Sequence, residues 1–166
     1  MQDESTKAPF LREKSAIKNL RRFADIKIQS LTFCLKRRVL IIDDESEVRS
    51  LLNRTLTQAG YEVVAVASGN EGTRACRQYS FDLIIIDMVM PEKDGLETMM
   101  EIRRGSPNAR IIAMSGAPRA PIMDPLNLAV KLGAVASITK PFTPDEFLCS
   151  VLQHLPHSHT QLGAAA

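Results

Sequence analysis

Four short stretches carry the residues able to do chemistry. In "RRVLIIDDESEVRSLL" the adjacent acids Asp43 and Asp44 follow four aliphatic residues, and in "FDLIIIDMVMPEKDG" Asp87 follows another such run. "ARIIAMSG" ends on the Ser115 hydroxyl, and "VASITKPF" on the Lys140 ammonium. Two carboxylates roughly 5 Å apart repel by about 3 kcal/mol at an effective dielectric near 20, so three together are costly without a cation. Asp44 alone could be a helix cap; an adjacent pair with a third acid after an independent strand is not explained that way. An oxygen-only donor set beside an open crevice suits Mg2+, which takes one or two carboxylates, keeps several waters and binds phosphate oxygens. A hydroxyl and an ammonium facing metal-loaded carboxylates form a site for a phosphoryl group, whose transfer asks chiefly for positioning and charge neutralisation.

The elements around these residues must bring them to one place. Runs of four to six aliphatic residues rich in β-branching mark strands covered on both faces, as in parallel sheets. Five such strands are expected, "VLIID", "YEVVAVA", "FDLIIID", "ARIIAMSG" and "VASITKP". After the first, Val48, Leu51, Leu52, Thr55, Leu56 and Ala59 recur at helical spacing, and Gly60 closes the helix. "GNEGTRACRQYS" reads as a weaker helix, and "GLETMMEIRRG" as a helix after the turn "MPEKDG". Asp124 and Pro125 are expected as N-cap and first position of a short helix ending at Gly133. Thr143 and Glu146 form a capping-box pattern for a last helix carrying Phe147, Leu148, Val151, Leu152 and Leu155 on one face. This alternation implies an α/β fold, a doubly wound five-stranded parallel sheet with right-handed crossovers and helices on both faces. In open α/β sheets ligands bind beyond the carboxyl ends of the strands, where all four stretches end.

Composition narrows the class. A chain of 166 residues with 45% hydrophobic content suits a single globular domain. It has no apolar run long enough to span a bilayer and no secretory signal pattern, so a cytoplasmic protein is expected. Cys34, Cys76 and Cys149 are few, far apart and without a C-x-x-C, and read as free thiols. Residues 1 to 38 carry +6 and residues 39 to 166 carry −4, which sets a boundary near Arg38. The expected organisation is a basic, flexible extension over 1–38, a domain over 39–155 and a disordered tail over 156–166. The extension mixes apolar and basic residues, but "ADIKIQSLTF" breaks the helical period that a membrane or acidic-partner anchor would need. A start of translation upstream of the natural one is the other reading of it. His154, His157 and His159 could hold a metal, yet a loose tail supplies little preorganisation.

Taken together and in order, "IIDDES", "IIIDMVMPEKDG", "IIAMSG" and "ITKPF" resemble the strand-end motifs of response-regulator receiver domains of two-component signalling, over Val39 to about Leu155. The resemblance implies a flavodoxin-like strand order of 2-1-3-4-5, which spacing alone does not supply. It also implies that Asp87 accepts a phosphoryl group from the phosphohistidine of a histidine kinase or histidine phosphotransfer protein. Asp43, Asp44, Asp87 and the backbone carbonyl of Val89 would bind Mg2+, Asp43 directly or through water. Lys140 and Ser115 would contact the phosphoryl oxygens, and Lys140-Pro141 would be a cis peptide. Such a protein is not an enzyme on other substrates; it promotes only its own phosphorylation and dephosphorylation. The same analogy places kinase contacts around Arg49, Asn53, Arg54 and Phe142.

The pattern departs from the family's commonest one at Ser137, where an aromatic usually stands three residues before the lysine. Switching is therefore expected to rest on the loop from Gly116 to Pro125, whose Pro118, Pro121 and Pro125 narrow its unbound ensemble. About eleven residues follow Leu155, too few for an output domain, so a stand-alone receiver is expected, with its downstream protein target open. It could signal by contact or serve as intermediate or sink in a phosphorelay. An aspartyl-phosphate phosphatase of the haloacid dehalogenase kind would need D-x-D-x-T, which "DDESE" lacks, and a dinucleotide-binding domain would need a glycine-rich first turn. The extension shows no nucleic-acid-binding motif. Because the sheet and its helices are complete without it, the chain from Arg37 onward is expected to unfold in one cooperative urea transition. A broad or absent transition would show that the preceding residues belong to the core.

Overall fold

The computed structural model describes residues 36–116 and 124–155 of the chain. By contacts the chain divides into two units, Met1–Lys36 and Arg37–Ala166, and the elements below all belong to the second. Strand β1 (Arg38–Ile42) leads to helix α1 (Ser46–Gln58), β2 (Glu62–Val66) to α2 (Gly69–Gln78), and β3 (Leu83–Asp87) to α3 (Gly95–Gly105). Strand β4 (Ile111–Ser115), helix α4 (Pro125–Lys131), β5 (Ala136–Thr139) and α5 (Pro144–His154) complete the alternation. The five strands are parallel in the order β2-β1-β3-β4-β5, the flavodoxin-like arrangement.

The unbroken aliphatic runs have a direct cause in this topology. Successive side chains of a strand point to opposite faces, and both faces of the three central strands are covered. Leu40, Ile42, Ile84, Ile86, Ile111 and Ala113 pack on one side with Met99 and Ile102 of α3 and Leu126 and Ala129 of α4. Val39, Ile41, Leu83, Ile85, Ile112 and Met114 pack on the other with Leu52 and Leu56 of α1 and Phe147 and Val151 of α5. The flanking strands β2 and β5 are only partly buried, and their patterns are correspondingly mixed.

Local signals set the helix ends where the sequence places them. Gly60 adopts φ +93, the left-handed conformation that ends α1 without a Cβ penalty. The Asp124 side chain accepts from Leu126 N at 2.9 Å with Pro125 in the first turn. Thr143 and Glu146 cap each other's backbone N–H at 2.7 and 3.2 Å. The backbone hydrogen bond from Thr143 holds the Glu146 carboxyl below the usual carboxylate range.

Two details differ from the sequence reading. The domain starts earlier than residue 39: Arg38 is already in β1, its N–H donating to Asp82 at 2.8 Å and its side chain to Glu62 at 2.9 Å, while Arg37 pairs with Asp82. These charges serve the sheet edge and not the basic extension. On α5, Leu152 is 37% exposed although Phe147, Val151 and Leu155 are buried; at about 100° per residue it lies off their stripe. The proline-rich loop assigned to switching falls largely on residues 117–123, outside the described residues, and Cys34, His157, His159 and the whole tail over 156–166 lie outside them too.

The contact that seats the site most tightly is at Gly95, where a Cβ would lie 2.1 Å from the Asp87 carbonyl oxygen and 2.6 Å from Met88 Cα. Backbone atoms cannot swing away, so α3 can start beneath the end of β3 only because residue 95 has no side chain. Gly95→Ala is expected to cost about 2 kcal/mol in urea unfolding. Gly105→Ala, where nothing lies within 4 Å of the added Cβ, is expected to be neutral or slightly stabilising.

Candidate functional site

The sheet topology delivers the carboxyl ends of β1, β3, β4 and β5 side by side. Asp43 follows β1, Asp87 ends β3, Ser115 ends β4 and Lys140 follows β5. One carboxylate oxygen from each of Asp43, Asp44 and Asp87 lies within 4.8 Å of the others. Asp43 and Asp87 are buried and Asp44 is exposed, so the group opens toward solvent on one side.

Lys140 enters this cluster from β5. Its Nζ donates to Asp43 Oδ2 at 2.9 Å, to Asp87 Oδ2 at 2.5 Å and to Glu45 Oε1 at 3.1 Å. Burial alone would lower its pKa, but hydrogen bonds to Asp87 and Asp43 raise it well above the ordinary lysine value. It stays charged at any physiological pH. Burial pushes the Asp43 carboxyl upward, opposed by the bond from Lys140 and by Glu45 N–H at 2.9 Å, with a smaller upward push from the Asp87 charge. One ammonium does not neutralise four surrounding carboxylates, so the cluster retains negative charge. Its donors are all hard oxygens, and that set fits a divalent cation such as Mg2+.

The remaining expected residues fall around this cluster. Val89 lies two residues beyond Asp87 and donates its N–H to Asp87 Oδ1 at 3.0 Å, its side chain exposed. Ser115 is buried, and its carbonyl accepts from Lys140 N at 2.7 Å, extending the β4–β5 ladder to the lysine. The Lys140-Pro141 peptide is cis. Ser137 is exposed on β5, as a small polar residue there can be.

Of the four residues assigned to partner contact, two have inward duties. Arg49 donates at 2.7 Å to the carbonyls of both Asp43 and Asp44, fastening the acidic turn to α1. Phe142 stacks on Phe147 with ring centroids 5.8 Å apart. Asn53 and Arg54 are exposed.

Sequence reasoning passed over two groups. Glu45 stood unremarked beside the acid pair, although a third consecutive acid was the available signal. Lys93, within the β3–α3 loop, is buried and pairs with Glu101, which also binds Arg77 at 2.7 Å. The bond from Lys93 holds the Glu101 carboxyl below its usual range. That pair braces a loop whose Glu92 takes φ 64, the left-handed region, on the way from Asp87 to the Asp94 cap of α3. No local pattern predicts a lysine buried there.

A family model, the response regulator receiver domain, matches residues 39–152. The chain is 37% identical over 110 residues to the chemotaxis protein CheY of Thermotoga maritima, covering 65% of this chain and 88% of that one. It is 30% identical over 122 residues to sporulation initiation phosphotransferase F of Bacillus subtilis, covering 74% and 96%. Among solved structures, response regulator protein TrrA from Thermotoga maritima in complex with Mg2+–BeF aligns with TM-score 0.61 and 30% identity, covering 72% of this chain and 99% of that one.

The cluster generates a test of its electrostatics. The folded-state pKa of Asp43 is raised, so its ionised form costs folding stability above that pKa, and the cost vanishes below the unfolded value near 3.9. Without metal, Asp43→Asn is expected to be more stable than the parent at pH 7, with the difference closing as pH falls toward about 4. Mg2+ at about a hundred times its Kd is expected to stabilise the parent by about 2.7 kcal/mol and the variant by less. Thermal unfolding across pH, with and without Mg2+, reads both effects; a parent indifferent to Mg2+ would remove the cation from the site.

Proposed function

Because the chain belongs to the response regulator receiver domain family, a family of signalling proteins that work in phosphorelays through phosphorylation of an aspartate, we propose that Asp87 is its phosphoacceptor. The observation that carries this reading is the meeting of Asp43, Asp44 and Asp87 within 4.8 Å, with Lys140 bonded to both Asp43 and Asp87. Asp87 ends a central strand on a backbone fixed by Gly95, so its carboxylate is held in place for attack.

In the proposed reaction an Asp87 carboxylate oxygen attacks the phosphorus of a phosphohistidine. The new O–P bond makes an acyl phosphate, the P–N bond breaks, and its electron pair stays on the imidazole nitrogen. Asp43, Asp44, Asp87 and the Val89 carbonyl would hold Mg2+. Bound there, the cation neutralises charge on the phosphoryl oxygens. Lys140 donates to a phosphoryl oxygen, and the Ser115 hydroxyl to another. The chain promotes only this phosphorylation and its own dephosphorylation, in which water attacks phosphorus, the Asp87 O–P bond breaks and inorganic phosphate leaves, and it acts on no other substrate.

The donor is a histidine kinase or a histidine phosphotransfer protein, approaching over exposed residues of α1 such as Asn53 and Arg54. Arg49 belongs to the acid turn instead, since its bonds to Asp43 and Asp44 are intramolecular. No helix of the described residues is long and apolar enough to cross a membrane, which agrees with action in the cytoplasm. The receiver, from Arg37 to Leu155, is the working domain.

A phosphohistidine donor with Mg2+ is expected to label the chain at Asp87 through a bond cleaved by hydroxylamine, and chelation of the metal is expected to stop labelling. Asp87→Asn is expected to lose all but a trace of the initial rate, since the amide cannot serve as the nucleophile. Equal labelling of that variant would falsify the assignment.

A further inference from the structure

Lys140 Nζ carries three protons and meets three carboxylates, from Asp43, Asp87 and Glu45. Its donors are therefore fully used. For the ammonium to donate to an incoming phosphoryl oxygen, one of the three acceptors must be given up.

The three are not equivalent. The Asp43 side chain has no exposed surface, so releasing it would leave a buried carboxylate short of a donor. The Asp87 oxygens take part in the reaction itself. The Glu45 side chain is 60% exposed and can pass to water at little cost.

Among the described contacts Glu45 bonds to Lys140 through its carboxylate, while its backbone serves the start of α1. It occupies the N-cap of α1 yet makes no side-chain capping bond, where Ser, Thr, Asp or Asn would be favoured. Its N–H is pinned by Asp43 Oδ1 at 2.9 Å, which sets the backbone from which its carboxylate reaches Lys140. We propose that Glu45 is the exchangeable partner of Lys140: a positioning residue that holds the ammonium's third proton at the solvent side until phosphoryl oxygens replace it.

This inference rests on the phosphoacceptor reading of Asp87. The probe is acetyl phosphate, a small anionic donor that needs no protein partner, used with Mg2+ on the full chain. Glu45→Gln and Glu45→Ala are expected to raise the rate at subsaturating donor by about three-fold, since an exposed ion pair is easily lost. The gain should shrink at high salt. Glu47→Gln removes the same charge from the exposed first turn of α1 but not from Lys140, and is expected to leave the rate near that of the parent. A second readout uses metal-free protein: exchange of the Lys140 ammonium protons with water, followed by 15N NMR, is expected to quicken most in Glu45→Ala, less in Glu45→Gln, whose amide oxygen still accepts, and not in Glu47→Gln. Unchanged ammonium exchange in the Glu45 variants, or an equal rate gain in Glu47→Gln, would overturn the proposal. An unlabelled parent would instead refute the Asp87 reading, and the metal-free measurement would still decide whether Glu45 holds the lysine.

Discussion

An ammonium buried among carboxylates is stable only if each donor finds an acceptor and each acid finds a donor or cation. Lys140 meets that condition through Asp43, Asp87 and Glu45, with Nζ to oxygen distances of 2.5 to 3.1 Å. The surrounding chain is arranged to hold these groups still. Ser115 carries the β-ladder to Lys140, Gly95 lets α3 abut the Asp87 backbone, and Arg49 ties down the carbonyls of Asp43 and Asp44. Asp43 itself spends one oxygen on the N–H of Glu45, so the acid turn and the start of α1 form one bonded unit.

Outside this ring the structure shows a division of rigidity. The central strands are packed on both faces, and their ends cannot drift without opening a core. The β3–α3 loop is anchored in the core by Met88 and Met90 and braced further by the buried Lys93 and its pair with Glu101. On β5, Ser137 is exposed and contributes little apolar area. The site is thus mounted on the carboxyl edge of a sheet packed on both faces.

Much of this was legible in the sequence. Aliphatic runs ending in Asp43, Asp87 and Ser115 located three strand ends, because a strand buried on both faces admits no polar residue until it leaves the core; β5 before Lys140 is half exposed and its pattern is mixed. Gly60, Asp124 with Pro125, and Thr143 with Glu146 marked helix ends through local backbone chemistry that needs no knowledge of the rest of the fold. Boundaries were less secure where a charge served two purposes: Arg37 and Arg38 count toward a basic extension by composition, yet their partners Asp82 and Glu62 lie far along the chain.

Sequence by itself therefore determined the strands, the helix ends and the acids, hydroxyl and ammonium at the sheet's carboxyl edge, since each is written in a few neighbouring residues. Tertiary structure decided the pairings. That Lys140 divides its protons among Asp43, Asp87 and Glu45, that Arg49 turns inward, that Lys93 is buried and that Gly95 must lack a Cβ all depend on residues distant in the chain or on the approach of two backbones. Such contacts have no period and no local motif, because they arise only when the sheet's order brings separate segments together.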